Sequence, residues 1–250
     1  MKDLGLVSVV VPTYNSEETI RETLESILNQ TYSHFEIIIT DDASNDNTVS
    51  IINSIKDRRV KLYELNKNSG AGVARNKSIR MAKGKYIAFC DSDDLWTVNK
   101  LEMQLIFMNE KRIAFSYSSY NIINETGEYL RTKNVPSKIS FKSTLLKNEI
   151  GCLTAIYDQE MIGKRYMDEI RKRQDYLLWL KILKDIDYTE GIQTPLASYR
   201  LRKNSISRNK LGLLKYNYKV YRALDYTHLR SSLLLVRFLL NFIGNKFFHF

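Results

Sequence analysis

The chain has 250 residues, 44% hydrophobic and 26% charged, which suits one large globular domain, or one domain with a subsidiary part, and a sizeable core. Its two cysteines, Cys90 and Cys152, fit no zinc spacing and suggest no disulfide framework. The net charge of +10 is unevenly spread: residues 1–199 carry 27 Lys/Arg and 27 Asp/Glu, whereas from Arg200 onward 11 basic residues face Asp225 alone. Such asymmetry points to a basic tail with an anionic partner, lipid head groups or nucleic acid. Met1 to Gly5 lead straight into a strand-like run with no signal peptide, so the cytoplasm is the expected compartment.

Leu6 to Val11 is β-branched and apolar and is expected to end at Pro12. Glu17 to Gln30 carries Ile20, Leu24, Ile27 and Leu28 at helical spacing, and Phe35 to Ile39 is a second strand that runs into Asp41-Asp42. A helix through Val49, Ile52 and Ile55 follows, then a strand over Val60 to Leu65, a helix over Ala71 to Ala82, and a strand over Tyr86 to Cys90. That last strand stops abruptly in Asp91-Ser92-Asp93-Asp94, three carboxylates within four residues. Two readings stay open for this turn: a hard-oxygen site for Mg2+ or Mn2+, or a cap for the helix expected to start near Thr97. Alternating strands and helices predict a parallel sheet, whose ligands bind beyond the carboxyl ends of the strands. Pro12 to Asn15, Asp41-Asp42 and Asp91 to Asp94 all fall at such ends.

Further on, Thr97 to Lys111 reads as a helix, Ile113 to Tyr120 as a strand, and Asn124 to Tyr129 as a hairpin turn pivoting on Gly127. Between Arg131 and Tyr166 the pattern supports only mixed structure. Gln174 to Asp185 is helical, with Asp175 in its first turn and Trp179 among its apolar residues, and Leu196 to Leu201 reads as a strand. Leu211 to Arg230 alternates Leu and Tyr with Lys and Arg at helical spacing. Ser231 to Phe250 is mostly apolar, with Arg230, Arg237, Asn241 and Asn245 on one stripe. The apolar run is too short to span a bilayer, so a helix lying in the interface is one reading, and core or a dimer interface is the other.

Val7-Ser8-Val9-Val10-Val11-Pro12-Thr13-Tyr14-Asn15, Asp41-Asp42-Ala43-Ser44-Asn45-Asp46-Asn47-Thr48, Gly72-Val73-Ala74-Arg75-Asn76 and Asp91-Ser92-Asp93-Asp94 together resemble the family 2 glycosyltransferases. Gln174-Asp175-Tyr176-Leu177-Leu178-Trp179-Leu180 and the stretch from Tyr199 to Ser207 extend the resemblance over residues 6 to 207. It implies an α/β fold of GT-A type, a mostly parallel Rossmann-like sheet flanked by helices, here with a C-terminal helical extension. It also implies a nucleotide-sugar donor, a UDP-sugar by preference, a divalent Mn2+ or Mg2+, and inversion at the anomeric carbon. The expected division is a nucleotide-sugar-binding part over 1–120, an acceptor-binding and catalytic part over 121–207, and a membrane-associating tail over 208–250.

Carried over by the resemblance, Pro12, Tyr14 and Glu17 line the nucleoside site. Asp42 accepts from the uracil N3–H, Gly70 and Arg75 border base and phosphates, Asp91 meets the ribose, and Asp93 is the metal ligand. Asp94 orients the turn. Asp175 is the expected general base, a carboxylate that takes the proton of the acceptor hydroxyl as its oxygen attacks. Helix capping remains the bland alternative for Asp42 and Asp175, and a surface pair for Arg75. Trp179 is expected to pack, while Tyr176 or a nearby aromatic is a candidate to stack on the acceptor sugar. Where many relatives carry a metal-ligating His, this chain has Arg202, which cannot ligate a metal but can bind the donor diphosphate. His34, His228 and His249 match no ligand spacing. The expected acceptor is a polyprenyl-diphosphate-linked sugar or a growing surface glycan, met at the inner membrane face. A nucleotidyltransferase on a similar sheet and a basic nucleic-acid-binding protein are the competing classes. Gln174-Asp175-Tyr176 argues against the first, and the carboxylate clusters against the second.

Overall fold

The computed structural model describes the backbone of residues 3–202 and 210–247, and the side chains of 3–202 and 214–241. β-Branched runs and amphipathic stripes alternate through the first hundred residues, and elements alternate with them. They are β1 (Val7–Thr13), α1 (Ile20–Leu28), β2 (Phe35–Asp41), α2 (Thr48–Ser54), β3 (Val60–Glu64), α3 (Ala71–Met81) and β4 (Tyr86–Phe89). After the acidic turn come β5 (Leu95–Trp96), α4 (Lys100–Lys111), β6 (Phe115–Ile123), β7 (Tyr129–Lys133), β8 (Lys138–Ile139) and α5 (Phe141–Thr144). A 3-10 turn at Cys152–Thr154 leads to β9 (Ile156–Asp158), α6 (Gln159–Ile162), α7 (Gln174–Asp185), β10 (Thr189–Arg200), α8 (Lys210–Ala223) and α9 (His228–Phe247).

The described strands form one sheet in the order β3-β2-β1-β4-β9-β6-β10-β5, with β7 on β6 and β8 on β10. The β3-β2-β1-β4 block is parallel. The three-residue β9 then runs antiparallel between β4 and β6, and β6 and β10 pair in parallel beyond it. Side chains alternate between faces along the central strands. Val9, Val11, Ile37 and Ile39 pack with α1 and α4, while Val10, Ile38, Ile87 and Phe89 pack with α3 and α7. Both faces are therefore covered, as the continuous apolar runs require.

Several expected boundaries move. Pro12 lies inside β1 rather than ending it, because Val10 and every second residue point their amides toward β4. That ladder stops at the bond from the Cys90 N–H to the Val10 carbonyl, so the absent N–H of Pro12 leaves no partner unmet. The helix expected from Thr97 starts at Lys100, because Leu95 and Trp96 are taken as an antiparallel strand by Ser198 and Ala197. The expected strand Leu196–Leu201 is the end of the longer β10. Gly127 does pivot the β6–β7 hairpin, at φ 88°, a conformation that costs a side-chain-bearing residue about 1–2 kcal/mol.

α7 is buried on two sides. Trp179 stacks on Phe115 (centroids 5.1 Å apart) and meets the edge of Phe89 (5.4 Å), so it packs as expected. The opposite side of the helix, Tyr176, Leu177 and Leu180, packs with Val220, Tyr221 and Leu224 of the C-terminal region. Tyr176 is fully buried and donates its hydroxyl to the carbonyls of Thr144 and Leu145, so it cannot stack on a sugar.

At the start of α4, Lys100 is fully buried beneath the ring of Trp96 (4.2 Å), with Gln104 Oε1 at 3.0 Å. Burial pushes its ammonium down to about 7, against a weaker opposing influence from Cys90. The unfolded chain takes up this proton below about 10.5 and the native chain only below about 7, so the lysine's contribution to stability improves as pH rises across that window. Lys100→Met should raise the urea midpoint at pH 7 and shrink the gain between pH 7 and 10. Parallel pH profiles for the two proteins would exclude a buried neutral lysine.

Candidate active site

The carboxyl ends of β1, β2 and β4, the first turn of α3 and the start of α7 surround a cleft of about 850 Å³. Pro12, Tyr14, Asp42, Gly70, Arg75, Asp91, Asp93, Asp175 and Arg202 all line it. Of the residues singled out from the sequence, Glu17 stands off the wall. Its carboxylate accepts from the Asn47 backbone N–H (2.9 Å) and Nδ2 (2.8 Å), holding the loop after β1 to the start of α2.

Asp42 is buried at the end of β2, where its two oxygens accept from the N–H groups of Ser69 and Gly70, each at 2.7 Å. It thus clasps the loop before α3 instead of capping the segment after Asn47. A carboxylate has about four lone-pair directions, so two remain for a ligand. Ala43, next in the chain, sits at φ 63°, and Gly70 at φ 95°, so both sides of this clasp use left-handed backbone.

The acidic turn is resolved by its partners. Asp91 pairs with Arg75, which is nine-tenths buried on α3. Burial alone would lower the Arg75 guanidinium, but the charge and hydrogen bond of Asp91, together with Cys152 and Asp175, outweigh it and the net shift is upward. Asp93 meets Arg202 Nε at 3.0 Å, and Arg202 also donates to Thr19 Oγ1 (2.8 Å). Burial and the charge of Asp91 raise Asp93 above the ordinary carboxylate range, while Arg202 pulls the other way. Asp94 is buried and accepts from the backbone N–H of Arg200 (3.0 Å); burial, then the charges of Asp93 and Asp91, push it well above that range. Neither Asp93 nor Asp94 caps α4, whose N-cap residue is Asn99. Among the described residues no three His, Cys, Asp or Glu converge on a metal. Asp93, with 28% of its side chain exposed, is a single hard-oxygen donor at the cleft, which fits Mg2+ or Mn2+ once ligand phosphates complete the shell.

Arg200, in the Tyr199 to Ser207 stretch, has a role that its sequence motif does not show. Its buried guanidinium reaches the carbonyls of Asp93 (2.9 Å) and Glu125 (3.0 Å) and the carboxylate of Glu22 (2.6 Å), tying β10 to the acidic turn and α1. A Tyr-Arg pair at a strand end was its only trace in sequence.

Asp175 is the second residue of α7, and Arg173 in left-handed conformation (φ 66°) turns the chain into that helix. Its carboxylate accepts no hydrogen bond and pairs with no cation among the described residues, so the capping alternative lacks its bond. The neighbouring Gln174 lies so close to Gly72 that a Cβ there would stand 2.7–2.9 Å from its amide, which presses the start of α7 against that of α3. The rest of the late loop, residues 203–207, lies outside the described residues.

The family model for glycosyl transferase family 2 matches residues 8–171. The chain is 41% identical over 230 residues to TuaG of Bacillus subtilis (strain 168), a glycosyltransferase provisionally named for teichuronic acid biosynthesis, covering 91% of each chain. It is 38% identical over 242 residues to WfgD of Escherichia coli, named a UDP-Glc:alpha-D-GlcNAc-diphosphoundecaprenol beta-1,3-glucosyltransferase, covering 95% of this chain and 92% of that one. Among solved structures, S. aureus TarS (1–349) in complex with UDP-GlcNAc superposes with a TM-score of 0.74 at 22% identity. The match covers 93% of this chain and 71% of that one, and it shows a shared fold.

Arg200→Ala would remove the donors to the Asp93 and Glu125 carbonyls and the partner of Glu22, and we expect a loss of about 2 kcal/mol or more in urea unfolding. Arg200→Lys, a point charge without the fork, should recover only part of it.

Proposed function

Because the chain belongs to glycosyl transferase family 2 and has its GT-A fold, we propose that it moves a sugar from a UDP-sugar to a polyprenyl-diphosphate-linked acceptor during surface-polysaccharide synthesis. The reading of donor and acceptor is supported by the name of WfgD, and that of the donor also by the UDP-GlcNAc bound to TarS. The observation that carries the mechanism is the Asp175 carboxylate, without a hydrogen bond or ion pair among the described residues, lining the same cleft as the acidic turn.

In this reading Asp42, Gly70, Pro12 and Tyr14 receive the nucleoside. Asp42 still has lone pairs for a uracil imide, and Tyr14, 44% exposed, offers a ring face. Asp91, already oriented by Arg75, takes the ribose, and Asp93 would hold the metal. A divalent cation there offsets the charge that develops on the leaving diphosphate. Arg202 answers Asp93 in the structure, and its fork turns to the diphosphate oxygens when donor binds. Asp175 accepts the acceptor's proton as the new glycosidic bond forms and the bond to the diphosphate breaks, with inversion in one displacement. Glu17 supports this site from behind, through Asn47.

Residues 1–120 would supply the donor half and 121–207 the acceptor half. The tail has two separable roles. α8 covers α7 through Val220 and Tyr221, with Leu224 just past its end, and turns Lys215 and Lys219 outward. α9 exposes Leu229, Leu233, Val236 and Leu240 at spacings of four, three and four, with Arg230 and Arg237 also exposed. No described helix is long and apolar enough to cross a membrane. An apolar stripe beside cations fits the plane of an anionic bilayer. Asn245 and His249 lie outside the described side chains.

Asp175→Asn should bind UDP-sugar normally and lose transfer by about 10²–10⁴-fold; turnover like that of the parent would remove Asp175 from the base role. Flotation with phosphatidylglycerol vesicles should release Leu233→Gln/Leu240→Gln, whose substitutions leave the packing on α7 in place. Undiminished flotation would reject α9 as the membrane face. Arg202→Ala should raise the KM for donor, and an unchanged KM would end its assignment to the diphosphate.

A further inference from the structure

Three consecutive cations, Arg171, Lys172 and Arg173, line the cleft immediately before Gln174 and Asp175. Neither Arg171 nor Arg173 forms an ion pair among the described residues, and Arg173 Nε is enclosed without a hydrogen-bond partner. Lys172 Nζ lies 5.8 Å from the ring of Tyr216 on α8 while still bordering the cleft. The facing stretch 148–153 contributes one acid, Glu149, and that carboxylate is already shared by Lys133 (3.0 Å) and Lys147 (2.5 Å). Beside Asp175 two arginines, Arg171 and Arg173, therefore line the cleft without an ion pair among the described residues. Guanidinium forks on a concave wall suit phosphate oxygens.

We infer that Arg171, Lys172 and Arg173 form a subsite for a diphosphate on the acceptor, an inference that rests on the transfer reading above. Single displacement puts the attacking hydroxyl and the leaving diphosphate on opposite sides of the anomeric carbon. Side chains flanking the base consequently face the acceptor, while Arg75, Asp93 and Arg202 face the donor. In a sugar linked through diphosphate to a lipid, the phosphates hang from the ring that bears the accepting hydroxyl, so they lie within one sugar of Asp175. Arginine forks bind phosphate oxygens in pairs, and the lysine adds a point charge. The subsite selects for the phosphorylated acceptor over a neutral glycoside of the same sugar.

The test is calorimetric binding of geranyl diphosphate to protein saturated with UDP and Mn2+, comparing the parent with Arg171→Gln/Arg173→Gln. We expect the variant to bind about tenfold more weakly or worse, and Arg171→Lys/Arg173→Lys to recover part of the loss. In transfer assays the KM for a short-chain lipid-diphosphate GlcNAc should rise about tenfold in the Gln variant, with the KM for an alkyl GlcNAc glycoside unchanged. Equal geranyl diphosphate affinity in parent and variant would overturn the subsite, as would binding that UDP abolishes or an equal penalty on both acceptors. Loss of anionic-vesicle binding with unchanged acceptor KM would assign the cations to lipid head groups instead. If the parent transfers to neither acceptor yet geranyl diphosphate binding still depends on the arginines, the transfer reading falls and the subsite stands.

Discussion

Three carboxylates at the end of one four-residue strand repel one another, and the site is arranged around answering them. Each is met from a different part of the chain: Asp91 by Arg75 on α3, Asp93 by Arg202 past the end of β10, and Asp94 by the backbone of Arg200. The answers differ in kind. A buried guanidinium fixes Asp91, a backbone N–H fixes Asp94, and a half-exposed arginine leaves Asp93 the carboxylate whose partner is simplest to exchange. Repulsion that would destabilise an isolated turn here draws α3 and β10 onto the end of β4, which places donor groups and late-loop groups around one cleft.

The alternating first half was legible because its signals are local. Short strand-like runs rich in apolar residues and the helical stripes between them identify β1 to β4, and the acids after β2 and β4 identify the edge where ligands gather. What stayed hidden depends on partners distant in the chain. β9 is three residues long and exists because β4 and β6 flank it. Leu95 and Trp96 are a strand only because β10 passes beside them. Pro12 looked like a stop, yet the neighbouring ladder ends just short of it. Tyr176, next to Asp175, read as a candidate platform for the acceptor sugar. Two segments distant in the chain, the one around Leu145 and the C-terminal region, close over it.

Among the proposed site residues the pattern is similar. Those that act through a carboxylate or a backbone bend at a strand end were visible as motifs. Arg200 was not, since its work is to join carbonyls and an acid from three separate elements. Arg171 to Arg173 were visible as charge but not as a wall of the cleft, because nothing local distinguishes a basic run lining a cavity from one facing water.

The two-sided burial of α7 has a consequence for how this chain can change. One side of the helix holds Trp179 against the sheet, the other holds Val220 and Tyr221 of α8, and its first turn carries Asp175. The C-terminal region is thus no detachable anchor: trimming it would bare Leu177 and Leu180 to water and loosen the rod that carries Asp175. Any exchange of tails between relatives would have to bring a matching α7 surface with it, so these two segments can be inherited only as a pair.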